Sequence, residues 1–232
     1  MRTYNSGVRM PSIDTKIIYP PRPKGKMHPK DLPFYESCGD WLAQRKFRGS
    51  RCVLHISPTK EIFIASRHGK LFANFFLDQD FKKEILDGLN LKSGMEYWLD
   101  GELMNKDVNS TNEIILFDCL QEGRYFFNFP HQIDRLDLLH QLCGNPSMKC
   151  QSGIALQVTP RLWLAENFEN NFVDRFNEAI DCRQLEGLVL RRRFVGLDNH
   201  GGKEYETSNL IRCRKPFACE SFKASRSGGY EF

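Results

Sequence analysis

Lys46 stands in QRKFRGSR (residues 44–51), one lysine among Arg45, Arg48 and Arg51, with Gly49 three residues on. Of these cations only lysine readily loses its proton, so a position that needs an amine nucleophile takes Lys and not Arg. A free lysine, with a pKa of about 10.4, is protonated at neutral pH and does not attack. Neighbouring cations favour the neutral form, and the three arginines act in that direction if they face Lys46. On this stretch alone a solvated basic loop reads equally well. Acids with matching chemistry follow. WLDGEL (98–103) places Asp100 and Glu102 on one side of a strand, where they can accept hydrogen bonds from a hydroxyl or help bind Mg²⁺; a strand ending in a turn at Gly101 would instead leave both acids exposed.

Each of these stretches is weak by itself, and K-x-x-G occurs by chance in many proteins. The ordered set is specific: KFRGSR, ASRHG (65–69), WLDGEL, LFDCL (116–120), LEGLVLR (185–191) and LIRCRKP (210–216). This order, from about Gln44 to Pro216, resembles the covalent nucleotidyltransferase superfamily of ATP-dependent DNA ligases, RNA ligases and mRNA capping enzymes. The resemblance implies that Lys46 attacks the α-phosphate of ATP, releases pyrophosphate and carries AMP. It implies that Gln44 reads the adenine edge, Arg51 binds the ribose and Phe117 stacks on the purine, although a Phe within a strand is more often core. Arg67 of SRHG would contact a phosphate of the nucleic acid or nucleotide, and Glu186 would be the principal metal-linked acid near the α-phosphate. Asp100 is assigned to the metal and Glu102 to the nucleotide. The arginines at 191–193 are read as a solvated or phosphate-facing strand end.

Three features depart from the family pattern. Its last motif is usually K-x-K, often followed closely by proline. Here Arg212 and Arg214 share a face by alternation, while Lys215 precedes Pro216, so all three are candidates for the phosphates. Arg48 stands where DNA ligases carry Asp, and His68 where Asn is more frequent; His68 is read as a turn residue that satisfies a backbone group. With only residues 217–232 after Pro216, the OB-fold domain that DNA ligases and capping enzymes carry is not expected here. With little sequence before Lys46 and no bacterial NAD-type domain, ATP with Mg²⁺ is the expected cofactor pair.

The elements that must position these residues follow from periodicity. RCVLHIS and EIFIASR, separated by PTK, predict a hairpin. EYWLDGELM, EIILFDCL, IALQVTPRLWL, GLVLRRR and NLIRCRKP predict strands. FFLDQDFKKEILDGL, with Phe76, Phe81, Ile85, Leu86 and Leu89 near helical spacing, predicts a helix. So do HQIDRLDLLHQLCG, stopped by Gly144, and NNFVDRFNEAID. Strands and helices mix without strict βαβ alternation, which points to an α+β fold with mainly antiparallel sheets flanked by helices. The Pro-rich and basic residues 1–35 read as an extended lead-in on the surface, 36–216 as one nucleotidyltransferase domain, and 217–232 as a short tail able to touch nucleic acid or to stay disordered. Residues 194–208 are polar and Gly-containing and read as a loop.

The bulk properties fit this reading without proving it. A net charge of +4 suits an anionic partner. Eight cysteines without a C-x-x-C pair, and six histidines not clustered near them, argue against a zinc site and for reduced thiols in an intracellular, cytoplasmic protein. Neither a secretory signal nor a membrane-length apolar run is seen, so no membrane partner is expected. The expected partner is nicked or broken nucleic acid, DNA ahead of RNA, bound by a monomer; compact length suits a viral or phage enzyme. The rival within the enzyme class is an RNA ligase or one that joins mixed RNA and DNA ends. The rival from another class is a non-catalytic nucleic-acid-binding relative.

Overall fold

The computed structural model describes residues 17–72, 75–105, 112–123, 125–126, 131–150, 153–197 and 203–216. The chain opens with β1 (Arg22–Met27), α1 (Leu32–Ser37), β2 (Trp41–Phe47), β3 (Ser50–Ile56), β4 (Ile62–Ser66) and α2 (Gln79–Gly88). It continues with β5 (Tyr97–Met104), β6 (Glu113–Glu122), β7 (Tyr125–Phe126), α3 (Gln132–Leu142), β8 (Leu156–Gln157) and β9 (Leu162–Leu164). It closes with β10 (Asn167–Phe168), α4 (Phe172–Asp181), β11 (Leu185–Arg192) and β12 (Glu206–Arg214).

Apolar content decides which strands are central. β5 and β6 are buried at nearly every position and lie in the middle of a seven-stranded sheet, order β4-β3-β5-β6-β9-β8, with β7 on β6. A second sheet of five strands has the order β1-β12-β11-β2-β10. Ladders are antiparallel except β1 with β12 and β6 with β9, so the fold is α+β with mixed sheets.

Each helix is held by the stripe it buries. On α2 the stripe is Phe81 and Ile85, on α3 Leu139 and Leu142, and both pack under the larger sheet with Leu54, Leu99 and Leu120. On α4 it is Phe172 and Phe176, packed with Leu32, Leu188 and Leu190 under the smaller sheet. Burying each of these phenylalanines stabilises the fold by about 1.5–3 kcal/mol. A third cluster, with Phe47, Ile115, Phe117, Trp163 and Leu185, joins the two sheets.

The lead-in is more than an extended cover. Residues 22–27 form an edge strand of the smaller sheet, and Leu32 of α1 is only 1% exposed. Helix α2 begins later than the apolar spacing predicts. Asp78 accepts a hydrogen bond from the Phe81 N–H as its N-cap, which leaves Phe76 outside the helix and 83% exposed. Residues 154–164 make two short antiparallel strands and not one. The tail 217–232 and part of the 194–208 loop (198–202) lie outside the described residues.

Candidate active site

β2 belongs to the smaller sheet and β3 to the larger, and only Arg48 and Gly49 separate them. The crossing brings the sheets together at Gly49. A Cβ there would lie 2.5 Å from the Leu103 carbonyl oxygen and 2.6 Å from Glu102 Cγ, so only glycine fits without displacing β5. The Gly49 N–H donates to Glu102 Oε1 at 3.0 Å. Between the sheets opens a cleft of about 610 Å³, a volume suited to a small-molecule ligand.

Lys46 reaches this cleft from β2, and its Nζ lies 2.6 Å from Glu186 Oε2. Glu186 gets there through a register shift. Leu185 pairs with Phe47 and Gly187 with Lys46, so Glu186 is the extra residue of a β-bulge that re-aims its side chain. Gly187 makes the bulge possible: its φ is +131°, and a Cβ would lie 2.1 Å from the Cys213 carbonyl oxygen. Arg214 Nε stands 3.7 Å from the same Glu186 oxygen.

The arginines of the opening stretch do not crowd Lys46 as expected. Arg45 alternates to the other face of β2, where it donates to Glu166 at 2.5 Å and Glu178 at 2.9 Å. Arg51 does face the cleft, but it is paired with Asp100 through Nε at 2.9 Å and through Nη2, and it donates to the Pro21 carbonyl at 2.7 Å. Arg48 is not part of the cleft lining. Besides Arg45 and Arg51, the arginines that share the lining with Lys46 come from other strands and turns: Arg22, Arg67, Arg191, Arg212 and Arg214.

The cleft also has an aromatic wall. Phe117 lines it with the guanidinium carbons of Arg51 and Arg191 at 5.5 and 5.2 Å from its ring centre. Gln44 is 2% exposed and its amide orientation is fixed. Oε1 accepts from Arg191 at 2.5 Å, while Nε2 donates to the Phe117 carbonyl at 3.1 Å and to Asn167 Oδ1 at 2.6 Å. Arg191 is therefore not a solvated strand end. It is 3% exposed and bonds Asp118 at 3.1 Å. Alternation carries the signal that separates it from its neighbours. Gly187, Val189 and Arg191 share the cleft side of β11, while Leu188 and Leu190 face the helices and Arg192 is exposed. Nothing in the sequence flags Asn167, which arrives from a two-residue strand paired with β2.

Further cations line the cleft from other elements. Arg67 is exposed on the lining and donates from Nε to His68 Nε2 at 3.0 Å. With Nε2 accepting, His68 carries its proton on Nδ1 and donates it to Glu204 at 2.5 Å; its partners are thus side chains and not a backbone group. Arg212 and Arg214 both line the cleft. Burial, followed by the nearby Arg214, lowers the Arg212 pKa, and its buried Nε finds no acceptor among the described residues. Lys215 does not join them. Its Nζ donates to the carbonyls of Ala179, Ile180 and Cys182 at 3.0, 3.1 and 2.8 Å, closing the C-terminus of α4.

The carboxylates divide in the same way. Glu102 and Glu186 line the cleft. Asp100 does share its strand face with Glu102, yet it is 0% exposed and both its oxygens are taken by Arg51. Burial pushes its carboxyl above the ordinary range against the pull of Arg51 and Arg191. It is an anchor for Arg51 and does not fit a metal ligand. Among the described residues no group of three or more His, Cys, Asp or Glu side chains could hold a metal. The hard oxygens of Glu186 and Glu102 do fit Mg²⁺, which is commonly bound through one or two carboxylates together with substrate phosphates.

No protein-family model matches this chain. No curated protein matches it either. Solved structures do. The chain is similar to the ligase domain of LigD from M. tuberculosis, with a TM-score of 0.52 and 16% identity over 74% of this chain and 53% of that one. It is similar to a mycobacterial DNA ligase D complexed with ATP and MES, with a TM-score of 0.50 and 15% identity over 75% of this chain and 54% of that one. Pmar-Lig_Pre gives a TM-score of 0.52 and 14% identity over 84% of this chain and 46% of that one. The chain spans about half the length of these three structures. At these identities the likeness is one of fold alone.

Proposed function

We propose that this protein is an ATP-dependent polynucleotide ligase that joins 5′-phosphate and 3′-hydroxyl ends through a lysyl-AMP intermediate, with nicked DNA as its substrate. The observation that carries the proposal is the Lys46 amine held 2.6 Å from Glu186 in a cleft also lined by Phe117, Arg212 and Arg214. The fold shared with ATP-dependent DNA ligase domains supports it.

In the first step Lys46 Nζ, after giving up its proton, forms a bond to the α-phosphorus of ATP and the bond to pyrophosphate breaks. Glu186 orients Nζ and is the nearest acceptor for that proton. Phe117 stacks on the purine, and Gln44, with both Nε2 hydrogens taken by the Phe117 carbonyl and Asn167, meets it through the remaining acceptor capacity of Oε1. Arg212 and Arg214 meet the phosphates, where the buried Arg212 Nε gains the acceptor it lacks. Mg²⁺, when bound by Glu186 and Glu102 with the phosphates, supplies charge neutralisation. In the second step a 5′-phosphate oxygen displaces Lys46 from the AMP phosphorus. In the third the 3′-hydroxyl attacks the activated 5′-phosphate and AMP leaves.

Intact-protein mass after incubation with ATP and Mg²⁺ tests this. The expected result is a gain of one AMP with ATP, none with GTP, and none for Lys46→Ala. No gain, on protein shown to be free of AMP beforehand, overturns the proposal. Nicked duplexes with DNA or RNA at each side of the break then identify the polymer. RNA ends are included because Arg48 replaces the usual DNA-ligase Asp.

A further inference from the structure

Beyond the nucleotide cleft, β1 gives the smaller sheet a basic outer edge. The ladders place Gln44, Val189, Arg212 and Lys26 side by side in one row across β2, β11, β12 and β1. Residues in one row share a face of the sheet, and Gln44, Val189 and Arg212 all line the cleft. The opposite face is core: Met27 and Ile211 pack there with Cys213, Leu188 and Leu190. Lys26 is therefore on the cleft side, one strand or about 4.8 Å beyond Arg212. Lys24, at the irregularity between Pro23 and Gly25, is exposed as well.

These lysines lie outside the cleft lining. The acids nearest in the ladder are already engaged. Glu204 is held by Arg22 at 3.2 Å and His68 at 2.5 Å, and Glu206 by Arg22 at 3.3 Å. Neither Lys24 nor Lys26 has an ion-pair partner among the described residues. A mononucleotide ends its charge inside the cleft, next to Arg212 and Arg214. Positive charge that continues past them to the sheet edge matches an anion that repeats.

We infer that Arg212 and Lys26, with Arg214 and Lys24 beside them on β12 and β1, form a phosphate track, on which β1 holds the backbone of the nucleic acid whose end enters the cleft. The inference rests on the ligase reading for the identity of the polyanion. The segment is the N-terminal lead-in, and its role here is to dock substrate. Binding to phosphates in this way releases counterions, so it positions the strand without reading its sequence and weakens as salt rises.

The test compares the full chain with Lys24→Glu/Lys26→Glu and with Lys82→Glu/Lys83→Glu, an equal charge change on α2 beneath the other sheet. Fluorescence anisotropy of a labelled nicked DNA duplex is measured across a salt series, and AMP loading is measured by mass. The β1 variant is expected to bind on the order of tenfold more weakly, with the slope of log K against log salt reduced by about 0.9 for each phosphate that the protein no longer neutralises. Its AMP loading is expected to stay at the parent level. The α2 variant is expected to bind like the parent. Equal affinity and slope for the β1 variant and the parent, or equal weakening in both variants, overturns the track. A parent protein that binds the duplex but takes no AMP overturns the ligase reading and leaves the track standing.

Discussion

Arg214 and Lys215 are adjacent, and the fold sends them in opposite directions. Arg214 turns to Glu186 in the cleft, while Lys215 reaches under the sheet to three carbonyls at the end of α4. A sequence motif records spacing but not which side of a strand end a side chain leaves by, so LIRCRKP alone left three candidates open. Lys215→Met should remove the cap and the favourable charge at the helix C-terminus, lowering stability by about 1 kcal/mol. That corresponds to a fall in melting temperature of about 2–4 °C. AMP loading should be unchanged. Thermal melts paired with intact mass check both halves, and a loss of loading in a variant that melts like the parent would return Lys215 to the phosphates. The same limit applies to Arg45 and Arg51. Alternation already sends Arg45 away from Lys46, but that Arg51 is neutralised by Asp100 depends on β5 lying against β3, which no local pattern states.

At the scale of elements, the strands that carry the site were legible and their connections less so. β5, β6, β11 and β12 announce themselves by apolar runs and alternation. The bulge at Glu186 and the parallel pairing of β1 with β12 do not, since both are set by partners far away in the chain. The bulge gives a direct prediction. In Gly187→Ala the new methyl meets the Cys213 carbonyl at 2.1 Å, and the backbone at φ +131° disfavours any L side chain. Strain of about 1–3 kcal/mol should be relieved by shifting β11 against β12 and rotating Glu186 away from Lys46. AMP loading should therefore fall further than stability does. Urea unfolding alongside the loading rate measures the two, and a variant that keeps full loading would show that the bulge does not aim Glu186.

At the scale of the whole molecule a buried charge cluster helps tie the two sheets together. Asp118 of the larger sheet bonds Arg191 of the smaller sheet at 3.1 Å. It also bonds Arg135 of α3 at 3.0 and 3.2 Å, and Gln132 at 3.1 Å. Through Arg191 the cluster also sets the Gln44 amide, so sheet packing and the Gln44 side of the cleft share an anchor. Burial pushes the Asp118 carboxyl up, but Arg135, Arg191 and Gln132 outweigh it and hold it below the ordinary carboxylate range. A pKa lowered by folding means that the unfolded chain binds more protons between the folded value and the unfolded value of about 3.9. The stabilisation is thus fully present above the unfolded value and is lost as pH falls through the folded one. Asp118→Asn leaves Arg135 and Arg191 without their shared anion and should cost about 3–5 kcal/mol at neutral pH. Urea unfolding of parent and variant from neutral pH into the acid range should show that gap constant above about pH 4 and closing below it. A gap that persists unchanged in acid would mean that the Asp118 side chain holds the sheets by shape and hydrogen bonding alone, and that its charge contributes nothing to their union.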